Sequence, residues 1–197
     1  MATQSAAWWG LWPYHVLFIL LLAAAYTDVR QGKIPNYLTY PGVLVGLVGH
    51  TVMGRLTGQG GAAVGLAGSA AGLAVGFLPL MVAWRMGVLG GGDAKMMGAV
   101  GALTGWRFAL AAMFYGMIAM VIMAFVVMIA KRVTRRTLGR MWRTVALLFA
   151  PGGTLKPPAG ADSPTVPIGL AFCLGAGAAL IEVLWRGPVA GKLALGL

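Results

Sequence analysis

The chain reads as an all-α, polytopic membrane protein of about six transmembrane helices, the fourth of them short. Three observations predict this fold class. Of the 197 residues, 59% are hydrophobic and only 10% charged, with a mean hydropathy of +0.84. Several apolar runs approach the about 20 residues that a helix needs to cross the hydrocarbon. The 31 glycines would weaken soluble helices, but in lipid small residues let helices approach closely. A water-soluble domain is excluded. The length suits one bundle, so residues 1–197 are expected to form a single membrane-embedded domain without a large extramembrane part.

The first helix is expected over 8–26, with Trp8, Trp9 and Trp12 at one end as an interfacial anchor. Ala23, Ala24 and Ala25 close its apolar run as in a signal peptide, but no Lys or Arg precedes the run, so the helix reads as retained. A second helix follows over 37–53, then a glycine-rich turn with Arg55 and a third helix over 62–84. Gly68, Gly72 and Gly76 recur on one face of the third helix, and Gly42 with Gly46 and Gly101 with Gly105 repeat the spacing; this pattern reads as close helix packing. The apolar segment 94–104 is short. At ~1.5 Å per residue it spans roughly half the hydrocarbon, which suits a short, half-buried or re-entrant helix. A fifth helix is expected over 108–130 and a last one over 166–185. Between them a basic loop at 131–165 carries Lys131, Arg132, Arg135, Arg136, Arg140 and Arg143. Within it, 138–150 mixes Arg with Leu, Trp and Phe, as in a helix lying on the membrane surface.

The formal charge of +11 points to the cytoplasmic membrane face rather than to nucleic acid, because basic clusters at helix ends are the ordinary signature of that face. The expected partner of the basic loop is anionic lipid. With the short segment counted as a crossing, Arg30, Lys33, Arg85, Lys95, the basic loop and Lys156 share one side, leaving Arg55, Arg107, Arg186 and Lys192 on the other. The bias puts the first group in the cytoplasm and both termini outside. Cys173 is alone, so neither an intrachain disulfide nor a cysteine cluster is expected. His15 and His50 lie far apart with no convergent third ligand, so we expect no metal and no other cofactor.

Four acidic residues occur in the chain, and two of them, Asp28 and Asp93, sit where a membrane helix meets a short polar loop. A carboxylate near hydrocarbon is costly and usually marks a used site. The plainer reading of Asp93 is an N-cap for a helix starting at Ala94, with the glycines before it a flexible turn. Asp28 follows a helix C-terminus, where the macrodipole disfavours negative charge, and an exposed pair with Arg30 or Lys33 would contribute little. Asp162 reads as solvated loop, and Glu182 lies near the outer end of the last helix. If the fold joins Asp28 to Asp93, the two carboxyls share one proton. One can then take a proton from water while the other protonates a departing amine. Gly91 and Gly92 would permit close approach by an extended peptide. Pro35 restricts Ile34 to extended geometry, and Asn36 is placed to cap the second helix. Lys95 lies on a different helical face from Asp93, in reach of lipid phosphate or substrate.

Asp28 with Ile34, Pro35 and Asn36, and Gly91 and Gly92 with Asp93, Ala94 and Lys95, resemble the two signatures of the type IV prepilin peptidases, the GxGD membrane aspartyl proteases. The resemblance covers about 25–105 and extends to Ser163, Pro164, Thr165, Val166, Pro167, Ile168 and Gly169, similar to the proline-containing start of that family's last helix. It implies a GxGD aspartyl protease-like bundle in the inner membrane, with Asp28 and Asp93 as the catalytic pair and Ile34, Pro35, Asn36, Gly91, Gly92 and Lys95 shaping a substrate cleft. The implied reaction is hydrolysis of the leader of prepilin-like or preflagellin-like precursors at the cytoplasmic membrane boundary. Larger members of that family carry a cysteine-containing insertion and methylate the new N-terminus; with only Cys173 here, methyl transfer is not expected. Three other readings stay open at this stage: a small proton-coupled transporter, a non-enzymatic scaffold for pilus assembly, and a presenilin-like protease.

Overall fold

The computed structural model describes residues 11–57, 61–87, 89–130 and 168–186, and among these every regular element is an α-helix. In chain order they are α1 (Trp12–Gln31), α2 (Asn36–Thr57), α3 (Gly61–Arg85), α4 (Gly91–Thr104), α5 (Trp106–Ala130) and α6 (Ile168–Arg186). Four of them, α1, α3, α5 and α6, are long and apolar enough to cross a membrane, and the chain is an all-helical, polytopic membrane protein. Trp8 and Trp9, the basic loop at 131–165 with its expected surface helix, Asp162, the run from Ser163 to Pro167 and Lys192 lie outside the described residues. The chain divides into two compact units, Met1–Ala119 with Pro167–Leu197, and Met120–Val166. Of the second, the described residues contain only the end of α5. All the interactions that follow belong to the first.

Three helix ends differ from the sequence expectation. The second helix runs on to Thr57 rather than stopping near residue 53, so Arg55 lies in its last turn and not in the turn after it. The first helix continues through Gln31 rather than stopping near residue 26, so Asp28 lies inside its last turn. The chain leaves at Gly32, whose left-handed φ of 62° lets its N–H donate to the Asp28 backbone carbonyl at 2.8 Å, a common glycine-terminated helix end. The short helix begins at Gly91 rather than Ala94. Asp93 is therefore the third residue of α4 and not its N-cap, and Gly91 and Gly92 are helical.

α4 packs against α1, α2, α3 and α6, and every one of its residues from 96 to 104 is buried. A helix that ends among apolar neighbours must satisfy its last carbonyls internally, since each orphan in hydrocarbon costs several kcal/mol. Neighbouring helices supply two of the donors, and the end of α4 supplies two itself. Ser69 Oγ of α3 donates to the Ala102 carbonyl at 2.6 Å, and His50 Nε2 of α2 donates to that of Leu103 at 2.8 Å. Thr104 Oγ donates to the Val100 carbonyl at 2.7 Å and the Gly105 N–H to that of Gly101 at 2.8 Å. Gly105, at φ 86°, then turns the chain into α5.

Glycine makes this proximity possible. A Cβ on Gly72 would strike the backbone of Gly101, one on Gly76 that of Met97, and one on Gly46 that of Ala102. Close packing thus holds for Gly42, Gly46, Gly72 and Gly76, but Gly68 faces open space and Gly105 serves a turn. Trp12, expected as an interfacial anchor, instead lies against Gly49 and tilts over the His50 ring with centroids 5.2 Å apart. Leu17, Met96, Met97, Val100, Leu103 and Phe172 fill the core. Phe18, Ile19 and Leu22 of α1, Val48 and Val52 of α2 and Leu78 and Val82 of α3 are exposed, as suits faces turned to lipid.

Candidate active site

Three helix ends meet at Asp28 and Asp93. Asp28 comes from the last turn of α1 and Asp93 from the first turn of α4, and each is only 7% exposed. The first turn of α6 closes on both. A Cβ built on Gly169 would lie 2.8 Å from Asp28 Oδ2 and 2.9 Å from Asp93 Oδ1. Those two oxygens are therefore separated by less than the sum of the two distances. The carboxyl groups are neighbours in one pocket, with a glycine backbone as its wall.

Each carboxyl has a backbone donor. The Leu170 N–H donates to Asp28 Oδ2 at 2.8 Å, across 142 positions of sequence. The Gly90 N–H donates to Asp93 Oδ2 at 3.3 Å. The Asp28 contact falls in the range of a charge-assisted bond, about 2.7–2.9 Å, and the Asp93 contact lies beyond it. A hydrogen bond to a charged group contributes roughly 1.5–3 kcal/mol. Helix-end effects contribute about 0.3–1 kcal/mol each. The α1 C-terminus opposes charge on Asp28, the α6 N-terminus favours charge on both acids, and the α4 N-terminus favours charge on Asp93. The two effects on Asp28 oppose one another.

The loop after α1 and the start of α4 hold one another in place. A Cβ on Gly92 would meet the Ile34 carbonyl at 3.0 Å, so the Ile34 backbone lies directly on this turn, and the Ile34 side chain is buried. Gly91 meets the Trp84 indole in the same way, at 3.2 Å. Lys95 Nζ donates to Asn36 Oδ1 at 2.9 Å and lies 5.2 Å above the Tyr40 ring. Asn36, expected as a cap for the second helix, thus accepts from the other signature. The Pro35 carbonyl accepts the Leu38 N–H at 3.1 Å, in the first turn of α2. Beneath the carboxyls, Cys173 Sγ of α6 donates to Met96 Sδ of α4 at 3.6 Å.

All the site residues expected from sequence, Asp28, Ile34, Pro35, Asn36, Gly91, Gly92, Asp93 and Lys95, fall in or next to this cluster. Arg30 lies over the Tyr26 ring, 5.3 Å from its centroid. Glu182 accepts from Tyr115 Oη at 2.6 Å, more than three helical turns along α6 from Gly169. Among the described residues no group of three His, Cys, Asp or Glu side chains is placed to hold a metal. Sequence reasoning missed the contribution of Gly169 and Leu170. The Leu170 donor is a backbone N–H, which every residue except proline carries, so no side chain announces it.

The fold and site define a class: a polytopic helical membrane protein with a buried pair of carboxyl groups where helix ends converge. Residues 15–125 match the model of the type IV leader peptidase family. That is more than half of the chain, and the protein belongs to this family; it is a peptidase of the leader-peptidase kind. Neither a comparison with curated proteins nor one with solved structures finds a match.

Proposed function

We propose that the protein is a membrane aspartyl endopeptidase that removes the leader of type IV prepilin-like or preflagellin-like precursors. Asp28 and Asp93 are its catalytic pair. The observation that carries this reading is the convergence of both carboxyls on Gly169. Two buried carboxyls so close cannot both ionise readily, so the pair holds one proton. The ionised member takes a proton from water, the resulting hydroxide attacks the scissile carbonyl, and the protonated member supplies the departing amine. Both acids belong to terminal turns of their helices. This suits a substrate strand entering at a membrane boundary better than a proton relay through the middle of a bundle.

Charge asymmetry supports an inner-membrane, multi-pass arrangement with the site on the cytoplasmic side. The basic loop would hold that side against anionic lipid. Leader removal without methyl transfer follows from the resemblance to the short members of the family.

The test is cleavage of a panel of pilin-like precursors by purified protein, with the cut located by mass spectrometry. Asp28→Asn and Asp93→Asn should each abolish cleavage while the protein still accumulates in the membrane. Normal processing by either variant would refute the paired-acid assignment.

A further inference from the structure

We infer that the first turn of α6 divides the labour between the two acids: the Leu170 N–H holds Asp28 ionised as the general base, leaving Asp93 as the acid that protonates the departing amine. This rests on the catalytic reading above and adds roles to it. The element concerned lies outside the residues that match the family.

Burial does not separate the two carboxyls, since both are 7% exposed. Their donors do. Asp28 Oδ2 takes an N–H at 2.8 Å, whereas the donor to Asp93 Oδ2 stands at 3.3 Å. A backbone N–H only donates, and a carboxylate accepts it more strongly than a neutral carboxyl does, so it favours the ionised form. The α4 N-terminus works in the opposite sense at Asp93, but an end-of-helix effect is weaker than a direct charge-assisted bond. Two nearby ionisable side chains bond elsewhere: Cys173 donates to Met96, and Lys95 donates to Asn36. Gly169 is what allows the amide to arrive, because a side chain there would stand between α6 and both carboxyls.

Asp28 accepts a proton from water as the oxygen bonds to the scissile carbonyl carbon. The Asp93 hydroxyl proton passes to the amide nitrogen as the C–N bond breaks, releasing a carboxylic acid and an amine. Transfer of the proton from Asp28 to Asp93 restores the starting state.

The roles can be separated by the leaving group. A precursor peptide that the wild type cleaves is remade with a thioester in place of the scissile amide. A thiolate departs without needing a proton, so loss of the acid is bypassed and loss of the base is not. We expect both Asp→Asn variants to lose amide cleavage. On the thioester, Asp93→Asn should return to within about tenfold of the wild type, while Asp28→Asn stays more than about 100-fold down, the scale of a lost general base. The reverse pattern, equal rescue of both or rescue of neither overturns the assignment. In addition, Leu170→Pro, which removes the N–H within the first helical turn, should lower kcat at least about tenfold with KM unchanged and without thioester rescue. Leu170→Ala, which keeps the N–H, is the comparison and should cleave at least about tenfold faster than Leu170→Pro. Equal rates for these two variants overturn the role of the amide, and if the proline variant does not accumulate, the thioester comparison decides alone. If both Asp→Asn variants cleave the amide normally, it is the catalytic reading itself that fails.

Discussion

Replacing Gly169 by alanine adds one methyl group at the point where both carboxyls converge. That carbon would sit 2.8 Å from both Asp28 Cγ and Asp28 Oδ2, and 2.9 Å from Asp93 Oδ1. Optimal non-bonded separations between carbons are about 3.5–4.0 Å, so relief demands a displacement of more than about half an ångström. The movement is shared by two short side chains and a helix end tied to one of them through Leu170. Catalytic groups tolerate roughly 0.5 Å of misplacement, and a misplacement of about 1 Å lowers rate by about 100-fold. We therefore expect Gly169→Ala to reduce kcat by about 10- to 100-fold with KM little changed, and overpacking to remove about 1–3 kcal/mol of stability. The control is Gly177→Ala on the same helix, where a Cβ meets nothing within 4 Å. Initial rates on a cleavable precursor, with thermal unfolding of both variants, separate catalysis from folding. A Gly169→Ala enzyme with wild-type kcat would show that the carboxyls do not need this close wall.

Three further outcomes follow from the same geometry. Gly72→Ala should sharply reduce the yield of folded protein, because its methyl meets the Gly101 backbone, whereas Gly68→Ala, facing open space, should be silent; membrane accumulation and thermal unfolding compare them. Ser69→Ala strips the donor from the Ala102 carbonyl and should lower stability by about 1–3 kcal/mol, read as an earlier thermal transition with near-normal kcat below it. Asn36→Ala leaves Lys95 without its 2.9 Å acceptor; since an exposed polar link contributes at most about 1 kcal/mol, kcat/KM should fall by no more than about fivefold, with unfolding unchanged.

The helical segments were legible because apolar runs and glycine turns mark hydrocarbon-spanning stretches directly. Their ends were not. Thr27, Asp28, Arg30 and Gln31 look like loop, yet they complete α1 because Gly32 closes it in a left-handed conformation. The aspartates stood out through scarcity, and the fold places both at helix ends beside Gly169. Ser69 and His50 were not distinguishable from ordinary helix residues, because what matters is the carbonyl each reaches on α4. The glycine stripe on α3 shows the limit of periodicity. Gly72 and Gly76 oppose α4, while Gly68, on the same face, lies one turn further toward where α4 has ended. Spacing defines the face of a helix; the length of its neighbour decides which positions on that face are covered.

The shortness of α4 ties the two ends of the site's support together. Its 14 residues span about 21 Å at 1.5 Å per residue, less than the about 30 Å of hydrocarbon. Asp93 occupies the first turn of this short helix, yet it must meet Asp28 at the end of a 20-residue one. The far end of α4 therefore stops short, among apolar neighbours that offer its carbonyls no water. Ser69, His50 and Thr104 provide the donors there. Ser69 and His50 bind the end of α4 to α3 and α2, and Thr104 closes the helix on itself. A short helix with its last carbonyls satisfied from the side is thus the device that allows two acids from unequal helices to share one pocket.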